Sequence, residues 1–297
     1  MKLTNKANLP LPIVNAVKND TYSKGAAHLS ITGLIGSARI AELTKRHWKD
    51  LEEDVADRVW SLYGQIIHGI FERAADPTEA LTEQRLFIER YGWQISGQFD
   101  RMAYDGNVLQ DWKMTSTYSV NNGPKPEWIA QLNCYRLLLI ENGHTADKLQ
   151  IVCLFRDWSK AKAKNSPDYP QLQVGIVDIP VWPVEQTEAF IRERLRAHGT
   201  AHQSLPECTD EERWKSPDVF AVVGEGNTRA SKTYPDLEAA EADAEARSAK
   251  GKKQYHVESR TGENRRCADY CAVSAFCSQW KAINPDRLGL MGGNKAA

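Results

Sequence analysis

The sequence lacks an excess of charge of one sign and lacks any long apolar run. It carries 38 basic and 39 acidic residues for a net charge of -1. No overall positive field therefore draws nucleic acid to it, and an anionic ligand would need a local patch or bound metal ions. The longest wholly apolar runs have about five residues, against the roughly 20 of a membrane helix. A membrane-spanning helix is thus not expected.

The amino-terminal segment also lacks the apolar stretch of a secretory signal peptide. It reads MKLTNKANLPLPIVNAVKND, and Pro10 and Pro12 interrupt it. We therefore expect a cytoplasmic protein. In that reducing compartment, clustered cysteines indicate metal binding more often than disulfides, and the chain has 6 cysteines.

Composition and length indicate one large globular domain with a smaller appendage. Hydrophobic residues make up 41% and charged residues 26% of the 297 residues, which is ordinary for a globular protein. No internal repeat is visible. We expect four parts: an N-terminal, loosely structured arm (1–27), a core (28–204), a cysteine-bracketed unit (205–283) and a flexible tail (284–297).

Within the core, the order of elements predicts a mixed α/β domain, a mixed central sheet flanked by helices. Helices are expected over 33–45, with Ser30 and Thr32 as caps, over 48–75, after the proline of PKPEWIAQLNCYRLLLIENG, and over 184–198. Strands are expected over 82–90, 148–158 and 172–181. Residues 205–283 contain a small β-β-α-β module, with a hairpin over 219–234, a helix over 236–250 and a strand over 253–260.

A tight hairpin is predicted in the segment ISGQFDRMAYDGNVLQDWK. Its Asp105-Gly106 pair is the preferred sequence for a two-residue turn. Facing residues across this turn have numbers that add up to 211, so Asp100 lies opposite Asp111. Directly opposed residues project to the same face with Cβ atoms about 5 Å apart.

Two carboxylates at that separation repel each other, and each raises the pKa of the other. Lys113, expected on the same face opposite Gln98, would offset one charge. A cation between the carboxylates would remove the conflict, and oxygen ligands with open positions for water and phosphate suit Mg²⁺ or Mn²⁺. The alternative is a solvated cross-strand salt bridge. A three-residue loop would shift the register by one and separate the pair.

Further polar residues follow helical or strand spacing around this hairpin. His68 and Glu72 are four apart on the long helix and point the same way. Gln131 and Tyr135 have the same spacing on the following helix. Glu83 precedes the hairpin by one strand. A lone histidine on such a helix is usually structural, so the ordered series matters more than any one member.

The ordered motifs G-x3-H-x3-E, Glu, G-x-x-D, D-x-K and Q-x3-Y resemble those of RecB-like nucleases in the PD-(D/E)XK superfamily. The matching stretches are LSITGLI as the opening motif, then Gly64/His68, Gly97/Asp100, Asp111/Lys113 and Gln131/Tyr135. This resemblance covers residues 28–143. It implies a restriction-endonuclease-like α/β core that cleaves DNA with Mg²⁺ or Mn²⁺.

The resemblance also implies a role for each residue. Four groups would bind the metal: His68, Asp100, Asp111 and the backbone carbonyl of Trp112. Lys113 would orient the attacking water or stabilise charge developing on the phosphate. Gln131 and Tyr135 would line the site and touch DNA. Glu83 is expected in the catalytic set, where it would support the metal ligands more than bind the metal itself.

Four cysteines bracket the small module: Cys208, Cys267, Cys271 and Cys277. Four thiolates can hold zinc or an iron–sulfur cluster. The C-x3-C spacing differs from the C-x2-C of zinc knuckles, which lowers the expectation of zinc. Cys134 and Cys153 are expected to be buried small hydrophobic residues.

This region resembles the iron-staple nucleases, including CRISPR-associated exonucleases, a helicase–nuclease subunit of bacterial recombination, and phage-encoded members. The resemblance favours a [4Fe-4S] cluster, with Zn²⁺ as the alternative. In that branch the fourth cysteine precedes the core, where this sequence has Ser37 in GSAR. Cys208 is the replacement, and the x3 spacing is a second departure.

Three functions remain open from the sequence. The favoured one is a metal-dependent deoxyribonuclease, an exonuclease of recombination, repair or phage DNA processing in a bacterial or phage-infected cytoplasm. The others are a DNA-binding metal-cluster module with a vestigial nuclease site, and a structure-selective or restriction-type endonuclease. The expected partners are DNA and a single-strand-binding or annealing protein, with no membrane.

Overall fold

A five-stranded mixed sheet lies at the centre of residues 1–206. The computed structural model describes residues 1–19, 24–251 and 253–285, and the chain divides into two units between Pro206 and Glu207. The helices of the first unit are α1 (Leu11–Lys18), α2 (Ile31–Ile35), α3 (Ala38–Arg46), α4 (Val55–Ala74), α5 (Pro126–Glu141), α6 (Lys160–Asn165) and α7 (Val184–Thr200). Its strands are β1 (Lys2–Thr4), β2 (Leu29–Ser30), β3 (Glu52–Asp54), β4 (Ala80–Thr82), β5 (Arg85–Arg90), β6 (Trp93–Gln98), β7 (Arg101–Ala103), β8 (Val108–Thr115), β9 (Lys148–Phe155) and β10 (Val174–Ile179).

The strands form one large and two small sheets. The large sheet has the order β10-β9-β8-β7-β4, with β8 and β9 parallel and the other pairs antiparallel. A second sheet has the order β2-β6-β5, and β1 pairs with β3. Helices flank these mixed sheets, so the fold is the mixed α/β class predicted from the sequence.

Helices α4 and α5 pack on opposite faces of β8. Neighbouring residues of a strand project to opposite faces. The Trp112 ring meets Phe71 of α4 with ring centroids 5.0 Å apart, whereas Asp111 accepts a hydrogen bond from Gln131 of α5. Helix α5 is buried on most of its circumference, because it contacts strands of both the large sheet and the β2-β6-β5 sheet.

The predicted hairpin register is confirmed, although the predicted two-residue turn is wrong. Strands β7 and β8 pair Arg101 with Gln110 and Ala103 with Val108. The connection therefore spans four residues, 104–107, with Gly106 at φ +69°. The predicted two-residue turn and the observed four-residue connection are centred on the same point of the chain. The longer connection therefore leaves the register unchanged.

Several predicted element bounds are wrong. The helix expected over 33–45 is two helices, since the chain leaves the helical conformation at Gly36 and Ser37 caps α3. Ser30 caps α2 as expected, whereas Thr32 lies inside it. The helix expected from residue 48 begins at Val55, after the short strand β3.

The amino-terminal part is ordered where the structure describes it, so the predicted loose arm is wrong for residues 1–19. Strand β1 pairs in parallel with β3. Val14 and Val17 of α1 are buried against Val55 at the start of α4. Apolar spacing within a segment of eight residues is too short to predict such a helix from the sequence.

The second unit contains the predicted β-β-α-β module. Its strands are β11 (Val219–Gly224), β12 (Lys232–Tyr234) and β13 (Tyr255–Arg260), and its helices are α8 (Leu237–Lys250) and α9 (Ser278–Ile283). The sheet order is β12-β11-β13, and Ala240 and Ala244 of α8 pack on Val222. The predicted flexible tail, 284–297, lies outside the described residues from residue 286 onward. No helix among the described residues has both the length and the apolarity to cross a membrane.

Candidate functional site

A shared bend in two neighbouring strands brings Glu83 and Asp100 together. The expected strand over 82–90 is split into β4 and β5, and its partner is split into β6 and β7 at the same level. Glu83 N donates to the Asp100 carbonyl at 3.0 Å across the bend. The Glu83 backbone has φ +49°, which costs energy in a residue with a side chain. Strain of this kind is concentrated at functional sites, which makes the bend a candidate.

His68 of α4 completes a compact group with these two carboxylates. Its Nδ1 lies 3.0 Å from Glu83 Oε1 and 3.4 Å from Asp100 Oδ1. One potential ligand atom from each of the three residues lies within 4.8 Å of the others. Gln98 Nε2 donates to Glu83 Oε2 at 2.9 Å, and Arg85 donates in turn to Gln98 Oε1. The polar chain fixes the Glu83 carboxylate toward His68.

Asp111 belongs to a second group beside the first. Lys113 Nζ lies 2.6 Å from Asp111 Oδ2, and Gln131 Nε2 donates to Asp111 Oδ1 at 3.1 Å. Gln131 Nε2 also lies 3.2 Å from Tyr135 Oη. The Asp111 side chain is only 2% exposed, and its Oδ2 accepts no hydrogen bond of ordinary geometry besides the ion pair. A buried carboxylate oxygen in that state has capacity left for another positive group.

The two groups interact through charge. Burial, followed by repulsion from Asp111, raises the pKa of Asp100 to about 8, although His68 and the Trp112 N–H counteract part of the rise. The hydrogen bond to Glu83 is the largest cause of the raised pKa of His68. Burial alone would lower the pKa of Lys113, but the carboxylate of Asp111 outweighs it and raises that pKa. The site therefore concentrates negative charge that a cation would relieve.

The donors of this site fit a divalent cation. The carboxylate oxygens of the group suit Mg²⁺ and Mn²⁺ alike. The group is His68, Glu83 and Asp100, with Asp111 held beside it by Lys113. A cavity of about 290 Å³, lined in part by Phe71, Glu72, Asp100 and Trp112, adjoins the group. Space for water and a phosphate oxygen is thus present next to the donors.

The structure brings the residues predicted for the nuclease core together, with three differences from expectation. Glu83, expected behind the ligands, lies in the compact group, whereas Asp111 lies outside it. The prediction that Lys113 lies opposite Gln98 is wrong, because β6 leaves the large sheet at the bend. Lys113 pairs instead with Cys153 of β9. Trp112 meets the site through its N–H, which donates to Asp100 Oδ2 at 2.6 Å, and the role of its carbonyl stays a prediction.

Sequence reasoning missed Gln98 and Arg85, which hold Glu83 in place. Gln98 is the last residue of β6 and lies two residues before Asp100, and that alternation was the available signal. Arg85 also donates to Ser96 across the β5–β6 pair. Neither an arginine nor a glutamine in a strand stands out by residue type alone.

Gly97 is needed for the close approach of α5 to β6. A Cβ atom at position 97 would lie 2.7 Å from the Tyr135 ring and 2.9 Å from Leu138. We expect Gly97→Ala to lower the free energy of unfolding by about 1–3 kcal/mol, as overpacking in a core does. Chemical denaturation of both proteins measures this loss. Gly199→Ala is the matched control, because its Cβ meets Trp93 at an ordinary 3.5 Å inside α7. Equal stability of the two variants would contradict the packing argument.

The raised pKa of Asp100 predicts a pH-dependent gain from Asp100→Asn in metal-free protein. The folded state holds the proton up to about pH 8, whereas the unfolded chain releases it near its ordinary pKa of about 3.9. The contribution of Asp100 to the stability of the wild type is therefore fully present at acidic pH and is lost as the pH rises to about 8. The amide of the Asp100→Asn variant does not titrate, so the variant does not lose stability in this way. Between pH 5 and 8 the stability advantage of the variant should grow by up to about 4 kcal/mol, at about 1.4 kcal/mol per pH unit.

Thermal unfolding in chelator at pH 5 and pH 8 measures the effect. Asp105→Asn, in the exposed hairpin loop, is the control and should follow wild type at both values. An Asp100→Asn advantage that does not change with pH would mean that Asp100 is ionised throughout this range.

The four predicted cysteine ligands are neighbours in the second unit. Burial raises the pKa of the Cys267 thiol to about 11, and the thiols of Cys271, Cys208 and Cys277 add to the rise. The side-chain amide of Gln279 pairs with both backbone groups of Cys208, at 2.8 and 3.0 Å. Cys277 Sγ accepts from Trp280 N at 3.5 Å and caps α9.

Among the described residues, no three cysteine sulfurs lie within 4.8 Å of one another. Cys134 and Cys153 are buried in the first unit, as expected.

The solved structures similar to this chain include two of low sequence identity. No family model matches the chain, and no curated protein matches it. A crystal structure of SSO0001 has 16% identity and a TM-score of 0.41, with 62% of this chain and 81% of that chain covered. A phage related exonuclease from Haemophilus somnus 129PT has 14% identity and a TM-score of 0.29, with 57% and 73% covered. Likenesses at these scores carry no argument about function.

Proposed function

We propose that the chain is a divalent-metal-dependent nuclease that hydrolyses DNA phosphodiester bonds. The observation that carries the proposal is the compact His68, Glu83 and Asp100 group beside the buried Asp111–Lys113 ion pair. A phosphodiester needs positive charge on its oxygens and an activated water, and this arrangement can provide both. The order of the sequence motifs supports the same reaction.

The cation would be held by His68, Glu83 and Asp100, with Asp111 as a further oxygen donor. Such a cation lowers the pKa of bound water and neutralises charge on the phosphate. The residues fit this role because burial and repulsion from Asp111 raise the pKa of Asp100 to about 8. A cation bound beside Asp100 would stabilise its ionised form. Glu83 is aligned in advance by Gln98, so little rearrangement would be needed on binding.

The protein itself contributes charge and position. Lys113 stays protonated, since the neighbouring carboxylates raise its pKa, and its ammonium group can stabilise negative charge that grows on the phosphate. Gln131 fixes the orientation of Asp111, and Tyr135 fixes Gln131. Trp112 N–H fixes Asp100. Each carboxylate near the phosphate is thus held by a separate donor.

We further propose that the enzyme acts from DNA ends, as an exonuclease in recombination, repair or phage DNA processing. Incubation of end-labelled linear DNA and covalently closed circular DNA with Mg²⁺ or Mn²⁺ tests both levels of the proposal. Linear DNA should be shortened and circular DNA should persist, with no reaction in chelator. Cleavage of the circle would contradict the exonuclease proposal only. Intact DNA of both kinds with either metal would contradict the nuclease proposal.

The second unit is proposed to hold a [4Fe-4S] cluster through Cys208, Cys267, Cys271 and Cys277. The electrostatic interaction of the Cys267 thiol with the other three thiols supports a shared centre, and the resemblance to the iron-staple nucleases favours iron–sulfur over zinc. The cluster would be structural, since it closes the chain on both sides of the β-β-α-β module. Gln279 and the Trp280 N–H position two of the four sulfurs.

A further inference from the structure

We infer that exposed aromatic residues of α4, with Arg156 at the end of β9, form a stacking platform for an unpaired base of the DNA strand. The platform consists of Trp60, Tyr63, Met114 and Arg156. This inference rests on the proposed nuclease function and adds the form of its substrate. The strand would be single-stranded where it reaches the site, with a base stacked on Trp60.

The exposure of the α4 aromatic residues is the first observation. Three- and four-residue spacing along this helix predicts a buried apolar face, and Ile67 is buried as expected. Trp60 is nevertheless 59% exposed and Tyr63 is 41% exposed. Their rings meet edge to face with centroids 5.5 Å apart. Large aromatic rings left open to solvent as a pair indicate a binding surface.

Arg156 distinguishes this surface from a purely apolar one. Its guanidinium lies over the Trp60 ring, 4.4 Å from the centroid. An open cavity of about 580 Å³ is lined by Trp60, Tyr63, Met114, Arg156 and Asp157. The Asp157 carboxylate accepts a hydrogen bond from Thr117 N at 2.7 Å. Tryptophan and arginine together suit a nucleobase, which stacks on both planar groups.

The surroundings favour a nucleic acid over an apolar protein segment. Helix α6 begins four residues after Arg156 and carries three exposed lysines, Lys160, Lys162 and Lys164. Phosphates of a single strand need such cations alongside stacking rings. An apolar segment of a protein would gain nothing from them.

Helix α4 carries both Trp60 of the platform and His68 of the candidate metal site. On α4, Trp60, Gly64 and His68 form one row with four-residue spacing, so Trp60 lies about 12 Å from His68 along the helix axis. Stacked bases of one strand are about 3.4 Å apart, so this length spans three to four nucleotides. One short strand can therefore occupy the platform and the site together.

Gly64 leaves the path between them open. A Cβ added there would meet nothing within 4 Å. The same is true of Gly69, which lies on the opposite side of α4 from Trp60. Alanine is the better helix former at both positions, so packing within the chain does not explain Gly64. A strand that crosses the helix between Trp60 and His68 would pass over the open surface at Gly64.

Binding of fluorescein-labelled oligo-dT of 12 nucleotides, measured by anisotropy in chelator, tests the inference without cleavage. We expect Trp60→Ala to weaken binding about tenfold, within the range of one base–aromatic stack. Trp48→Ala, at another exposed tryptophan, is the matched control and should bind like wild type. Gly64→Ala should weaken binding, and Gly69→Ala should not, while both raise the melting temperature.

An oligonucleotide with abasic sites separates base stacking from phosphate contact. If Trp60 stacks a base, wild type should bind this probe as weakly as Trp60→Ala binds oligo-dT. Unchanged oligo-dT binding by Trp60→Ala overturns the platform, and so does a change in oligomeric state, seen by light scattering, without a change in binding. Trp60-dependent binding in a wild-type protein that cleaves no DNA would keep the platform and reject the proposed nuclease. DNA cleavage by the wild type, together with oligo-dT binding that does not depend on Trp60, would keep the proposed nuclease and reject the platform.

Discussion

Lys113→Met is expected to lower the rate of metal-dependent DNA cleavage by about 10²–10³, the usual cost of losing one group that stabilises charge in the transition state. Methionine keeps the apolar stem of the side chain and removes only the ammonium group. The rate is measured on end-labelled linear DNA with saturating Mg²⁺. Lys148→Met is the matched control, because this lysine forms an exposed ion pair with Asp178 at the start of β9.

Lys113→Met is also expected to lower stability, because the carboxylate of its partner Asp111 is buried. Lys113→Met leaves this carboxylate without its cation, and we expect a loss of about 1–3 kcal/mol in the metal-free protein.

A double variant separates the two effects. Lys113→Met with Asp111→Asn removes both charges, so it should regain stability and stay inactive. The single variant Asp111→Asn should also be inactive while still binding DNA. Cleavage that survives in either Lys113→Met or Asp111→Asn would mean that the reaction takes place elsewhere.

Cys271→Ser is expected to remove the cluster and to destabilise the second unit. A bond through the metal centre closes a loop of about sixty residues between Cys208 and Cys267, which is worth about 4 kcal/mol on the chain-entropy model. Metal–thiolate bonds add folding energy directly. Protein purified without oxygen should be brown with broad visible absorbance, and the variant should be colourless and should unfold earlier on heating.

Cys134→Ala is the control for this experiment, since Cys134 lies in the apolar core of the first unit. It should keep its colour. A colourless wild type with one zinc per chain would contradict the iron–sulfur assignment and keep the four-cysteine site. Wild type without bound iron or zinc, and equal stability of Cys271→Ser, would contradict both.

The sequence by itself determined the local features of the site. The register of Asp100 against Asp111 followed from an Asp-Gly pair and the two-residue period of a strand, and it held although the loop is longer. The proline at the start of α5 and the spacing of Gln131 and Tyr135 were likewise local. Turn chemistry and periodicity act between residues close in the chain, so they are visible without a fold.

Only the tertiary structure decided which of these residues meet. The bend at Glu83 depends on two strands that leave one sheet for another, and His68 reaches it from a helix packed on the sheet. The burial of Asp111 depends on α5. The exposure of Trp60 depends on what α4 leaves uncovered, which its spacing could not reveal. These features arise from contacts between distant segments, whose geometry no local pattern specifies, because packing of whole elements sets it.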